Sequence, residues 1–239
     1  MKSVILITAA ALLGSSAFAG TCMNGTLNNF DISGFSCTWG NLEFSNFSYS
    51  DSASPSSAAI PAASVDVSFI SGGGIVFGAG WDVRTQNNGS SEEQDSTVYF
   101  SVTGINGALI DDINLNFDGS YTGNGVSSVT EKYCAGVTNV NNCTNPASSF
   151  GVSNPPSNDS DKEVTFSPVD SIAVSKDINV TSGPDVQVPG NDCWRFDPST
   201  ANISTVTDSF STTAAPEPST LLLLGGGLLG IGLIRKRRS

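Results

Sequence analysis

Apolar residues recur at every second position through most of this chain. In SVDVSFI, Val65, Val67 and Phe69 share one face, and in IVFGAGWDV the same is true of Ile75, Phe77, Ala79, Trp81 and Val83. STVYFSVT presents Val98, Phe100 and Val102, and INLNFDGSY sets Ile113, Leu115 and Phe117 against Asn114, Asn116 and Asp118. Such alternation with Gly, Asn, Asp and Pro between the runs is the pattern of half-buried strands, and outside the two termini no stretch sustains the 3.6-residue period of a helix. Further strands are expected over Val126–Tyr133, Val164–Phe166, Ile172–Val180, Ile203–Phe210 and Leu42–Tyr49. In the last of these, Phe44 and Phe47 break strict alternation, which predicts a bulge. Strands apolar on one face must pair and then stack two deep, so the expected architecture is all-β, with a β-sandwich body over residues 20–213. Ser50–Ala63 and Thr85–Asp95 read as exposed loops, and Cys143–Asp161 as the longest irregular stretch.

The two ends obey other rules. MKSVILITAAALLGSSAFA, residues 1–19, has one cation at Lys2, an apolar stretch from Val4 to Leu13 and a small-x-small exit at Ala17-Phe18-Ala19. This is the layout of a secretory signal peptide, and it predicts a mature chain starting at Gly20. Leu221 to Ile234 is an uninterrupted run of Leu, Ile and Gly, followed directly by Arg235, Lys236, Arg237 and Arg238. A short transmembrane helix is expected over 219–234, with the cations holding its C-terminus on the cytoplasmic side and leaving the body outside. As a helix the apolar run rises about 21 Å against roughly 30 Å of hydrocarbon core, short for a permanent anchor.

Pro216-Glu217-Pro218, the Gly-rich apolar run and the terminal Arg-Lys-Arg-Arg together resemble the PEP-CTERM sorting signal of Gram-negative bacteria, here residues 214–239. The resemblance implies an exported protein delivered by Sec-type machinery and read by exosortase, an integral-membrane processing enzyme. It also implies a final place at the cell surface or in an extracellular matrix, with exopolysaccharide as a possible partner. Pro216, Glu217 and Pro218 match the family's recognition tripeptide, and two prolines force an extended segment that a processing enzyme can grip. A shared tail implies a shared route and leaves the cargo's function open.

Between the termini the chain carries five cations, Arg84, Lys132, Lys162, Lys176 and Arg195, against 21 acidic residues. That surface repels nucleic acid and anionic lipid. The five cysteines, Cys22, Cys37, Cys134, Cys143 and Cys193, all lie in the exported part, as an oxidising compartment allows. Cys22 with Cys37 and Cys134 with Cys143 are the sequence-local disulfide candidates, leaving Cys193 over, although spacing alone does not fix the connectivity. The seven Asn-x-Ser/Thr sequons follow from a Ser/Thr/Asn-rich composition.

The chain contains no histidine. This removes Ser-His and Cys-His nucleophilic devices and the usual neutral-pH base, and no cofactor or metal is expected. Carboxylate-only glycan hydrolysis survives in principle, but the adjacent pairs Glu92-Glu93 and Asp111-Asp112 read as surface features, because strand neighbours face opposite ways. NDSDKE, Asn158–Glu163, spaces oxygen ligands as calcium loops do but lacks their glycine turn and distal Glu, so a plain polar turn is expected. The expectation is therefore a non-enzymatic surface or matrix protein. The alternatives are a carbohydrate-binding module using Trp39, Trp81 or Trp194 as stacking platforms, with Trp81 better suited to the core, and lastly a glycan hydrolase.

Overall fold

The structure is a computed structural model that describes residues 20–54, 56–86, 89–139, 143, 148–155, 160–184, 186–189 and 194–214. The expected signal peptide, residues 215–239 of the sorting tail with the apolar run expected to cross the membrane, and Cys193 lie outside the described residues. Among the described residues no helix is long and apolar enough to cross a membrane.

In chain order the strands are β1 (Gly20–Thr21), β2 (Gly25–Thr26), β3 (Ser36–Trp39), β4 (Leu42–Ala53), β5 (Asp66–Ile70), β6 (Gly74–Arg84), β7 (Glu93–Gly104) and β8 (Ala108–Thr122). They continue as β9 (Val126–Ala135), β10 (Ser148–Asn154), β11 (Asp161–Val169), β12 (Ser171–Thr181), β13 (Val186–Pro189), β14 (Trp194–Asp197), β15 (Thr200–Ser209) and β16 (Thr212–Ala214). One sheet runs β1-β3-β4-β7-β12-β9-β10; the other runs β11-β8-β15-β6-β5-β2, with β16 added beside β8. Strands β13 and β14 form a separate ribbon. Apart from the parallel β1–β3 pair, the ladders are antiparallel.

Period-two alternation decides which side chains meet. Leu42, Phe44, Val98, Phe100, Val102, Val174 and Ile178 from the first sheet and Phe77, Trp81, Leu115, Ile203 and Val206 from the second share one buried core, so the all-β body is two-layered. Its centre is aromatic. Phe100 lies 5.8 Å from Phe47 in a stacked arrangement and 5.7 Å from Phe77, while Phe44 meets Phe69 edge-on at 5.3 Å. At the other end Tyr133 stacks on Phe166 at 5.2 Å, tying β9 to β11 across the layers.

The expected bulge is present. The β4–β7 register jumps between Ser45 and Ser48, with Asn46 at φ 55°, and the extra residue turns both Phe44 and Phe47 inward. Asn tolerates this left-handed conformation better than a branched residue would.

Three stretches expected to be irregular are shorter than the sequence implied. Strand β4 runs on to Ala53, β7 begins at Glu93, and β10 occupies Ser148–Asn154. Polar composition misled in each case: Ser, Asp and Gly extend a strand readily when its neighbour supplies the ladder, as β7 does for Ser50, Asp51 and Ser52.

Replacing Phe100 by Ala removes a ring that is 1 % exposed and touches aromatic partners from both sheets. The expected cost is about 3–5 kcal/mol. It should appear in urea titrations as a lower midpoint with an unchanged slope.

Candidate functional site

Three polar features stand out in the body, and each is built by strands whose inward positions are otherwise apolar. The first lies between the two layers. Lys176 on β12 occupies the inward slot between Val174 and Ile178, and directly across the ladder stands Glu131 of β9. Asp208 of β15 reaches the same point from the opposite sheet. The Lys176 ammonium donates to Oδ1 of Asp208 at 2.6 Å and also to Oε2 of Glu131, and all three side chains are fully buried. The second oxygens of Glu131 and Asp208 are buried without a partner.

Two carboxyls and one ammonium cannot all be charged there cheaply. Burial, and after it the neighbouring Asp208 charge, push the Glu131 carboxyl well above the usual carboxylate range against the pull of Lys176. The site therefore favours the protonated form of Glu131. Burial draws the Lys176 ammonium down, but the facing charges of Asp208 and Glu131 outweigh it and leave its pKa raised.

The second feature is a clamp. Glu92, expected at the surface, is only 3 % exposed, a correction to the reading of Glu92-Glu93 as a solvated pair. Its Oε2 accepts from the Ser57 backbone N–H at 2.7 Å, the Ser57 hydroxyl at 2.9 Å and the Ser56 N–H at 3.2 Å. Its own backbone exchanges bonds with Ser182 at 2.9 Å in both directions. Glu93 faces the other way, accepting from Asn179 at 2.6 Å. Burial pushes the Glu92 carboxyl up, and the Ser57 hydroxyl with the Ser56 and Ser57 amides outweighs it, leaving the pKa below its ordinary value.

The third is a groove of about 530 Å³ lined by Trp39, Asn41, Leu42, Gly72, Phe210 and Thr212 among others. The Trp39 indole N–H donates to the Ile70 carbonyl at 2.8 Å, joining the sheets and fixing the ring. A smaller cavity of about 320 Å³ lies by Asn46, Ser48, Tyr99 and Thr138. Among the described residues neither is lined by a carboxylate.

The remaining sequence candidates are placed as follows. Cys22 and Cys37 form a disulfide with Cα atoms 4.8 Å apart, and Cys134 and Cys143 form another at 5.9 Å. Trp81 is fully buried, with its indole N–H on Ser96 Oγ at 3.0 Å, and so cannot serve as a stacking platform. For Trp194 only the backbone, in β14, is described. Asp112 accepts from the Ser211 N–H at 2.7 Å. Of NDSDKE, residues 160–163 are described; Asp161 accepts from Asn114 at 2.8 Å, and Asp161 to Glu163 lie on β11. Among the described residues no group of three or more Cys, Asp or Glu is placed to hold a metal.

Sequence reasoning missed the core charge cluster and the Glu92 clamp. The signal for the cluster was present: Glu131 between Val129 and Tyr133, Lys176 between Val174 and Ile178, and Asp208 between Val206 and Phe210 each occupy an apolar slot of the alternation.

The tail is where the comparison with known families speaks. Residues 214–238 match the model of the PEP-CTERM protein-sorting motif. The chain carries a PEP-CTERM motif. A protein with this motif is exported and sorted by exosortase, a membrane enzyme. The PEP-CTERM match begins at Ala214, within β16. No curated protein matches the chain.

Glu92 yields a pH prediction. A carboxyl with a depressed folded pKa stabilises fully above its unfolded value, and this contribution is lost as pH falls through the folded one. At neutral pH, Glu92→Gln should speed hydrogen exchange at the Ser56 and Ser57 amides several-fold over wild type. The gap should close in acid.

Proposed function

We propose that this chain is a non-enzymatic structural protein of the cell surface or extracellular matrix, associated with exopolysaccharide. The PEP-CTERM motif carries this reading, since it commits the body to work outside the membrane. The body supports it in three ways. Two disulfides brace it, the second closing a ten-residue loop worth about 2.5 to 3 kcal/mol. Its strongly acidic composition keeps an exported chain soluble. Its buried charges Lys176, Glu131, Asp208 and Glu92 are engaged in holding strands and a loop together.

The short apolar run is consistent with temporary residence: long enough to present Pro216-Glu217-Pro218 to the processing enzyme, then removed. Mass spectrometry of protein recovered from the matrix should find Arg235–Ser239 missing together with the apolar run. Replacing the three tripeptide residues by Ala should leave export intact and retain the tail in the membrane fraction. Full-length tail on matrix protein would overturn the sorting scheme.

One observation favours a second reading, a saccharide-binding module. Trp39 is the part-exposed tryptophan of the groove, its ring fixed by the Ile70 bond and bordered by Asn41 and Thr212, and an aromatic face beside hydrogen-bonding groups suits a sugar ring. On a glycan array, binding lost on Trp39→Ala while the melting transition persists would establish this reading. No binding by wild type would leave the structural role.

A further inference from the structure

The buried cluster of Lys176, Glu131 and Asp208 has a reactive geometry. A nitrogen that becomes a nucleophile on losing a proton, a carboxyl carbon and a second carboxyl able to move protons are gathered at one point, walled off from water. From this arrangement we infer that the Lys176 Nζ condenses with the Asp208 side chain to form an intramolecular amide, joining β12 of one sheet covalently to β15 of the other, with Glu131 relaying the protons.

Three observations carry the assignment. First, Nζ stands 2.6 Å from Asp208 Oδ1, one carbon–oxygen bond away from Cγ. Groups held at contact distance in a fixed orientation react with effective molarities of about 10⁵–10⁸ M. Second, Asp208 has a short side chain on a central strand paired on both sides, to β6 and to β8, so its Cγ is held still. Glu131, like Asp208, has a partnerless second oxygen, and its one extra methylene lets it carry a proton between donor and acceptor. Third, the site penalises what the reaction removes. A dry core narrows the gap between an ion pair and its neutral tautomer, an amine beside a carboxylic acid, and a hydrogen-bonded amide is cheaper to bury than a pair of charges.

The step balances without any co-reactant. Starting from the Lys176 ammonium, the Asp208 carboxylate and a protonated Glu131, Nζ passes one proton to Asp208, and its freed lone pair attacks Cγ. The Nζ–Cγ bond forms, Glu131, protonated at the start, gives its proton to one Asp208 oxygen and takes one back from Nζ, and the Cγ–O bond breaks to release water. Three ammonium hydrogens become one amide hydrogen and two on water. Nothing is oxidised or reduced, and Glu131 ends protonated, able to donate to the new carbonyl.

Such a link would bypass the noncovalent packing that joins the sheets. The strands it connects are central in their sheets, β12 between β7 and β9 and β15 between β8 and β6. Pulling the two layers apart would then require breaking a covalent bond.

The test is mass spectrometry of the mature protein with its disulfides reduced and its termini mapped. The wild type should be lighter than its sequence by one water. Proteolysis should yield a branched peptide joining the segment of Lys176 to that of Asp208, with no cleavage at Lys176. Asp208→Ala and the near-isosteric Glu131→Gln should both restore the full mass. A wild type of full sequence mass overturns the proposal whether or not the variants fold, as does a branch at Glu131. An unchanged water loss in Glu131→Gln overturns the relay role.

Discussion

The body depends on one constraint: its two sheets can close only if every inward position of the alternation finds company in the opposite layer. Phe100 shows how this is met, lying between Phe47 of its own sheet and Phe77 of the other. The β4 bulge at Asn46 serves the same end, since without it one of Phe44 and Phe47 would point to solvent. At the far end Tyr133, Phe150 and Phe166 repeat the solution with a separate aromatic group.

The charged cluster then stands out as a deliberate breach of that constraint. A Leu or Val at 131, 176 and 208 would suit the neighbouring residues, and replacing a buried ion cluster by well-packed apolar side chains is often neutral or stabilising. Stability alone therefore gives a weak reason for Lys176 to be where it is. Removing a single member is another matter, because it leaves an uncompensated buried charge, so the three residues form a unit that is hard to lose piecemeal. A cluster costly to build and central to the sandwich is better accounted for by chemistry or specificity than by packing energy.

How much of this was legible in the sequence depends on which level is considered. The Phe100→Ala effect follows from alternation alone, because Val98, Phe100 and Val102 declare their face without reference to partners. The β4 bulge was legible for the same reason, through the spacing of Phe44 and Phe47. Both disulfides were legible as local pairs. The ends of elements were not: Ser148–Asn154 reads as part of a loop until β9 offers it a ladder, and Ser50–Ala53 until β7 does. Glu92 was hidden for a different reason. Its partners, Ser56 and Ser57, are distant in sequence and are brought to it by the turn after β4, so burial of that carboxylate is purely tertiary. The core cluster lay between these cases, written in the alternation but masked by the habit of assigning Lys, Glu and Asp to the surface.

The junction between body and tail adds a mechanical constraint on sorting. Strand β16 pairs its three residues with Ile110, Leu109 and Ala108, and the Pro-Glu-Pro tripeptide begins two residues after it ends. At about 3.3–3.6 Å per extended residue, an enzyme gripping Pro216 works within roughly 7 Å of the folded edge. A membrane-embedded enzyme would have to accommodate the sandwich at that distance or gain slack. The strand offers slack at small cost, because Ser211 to Ala214 are exposed and anchor no apolar side chain in the core. Peeling back to Ser211 lengthens the reach to about five residues, some 17 Å, while Phe210 stays buried between the layers and stops the fraying from spreading into β15. Phe210, the last buried aromatic among the described residues, thus sets how far back such fraying can run.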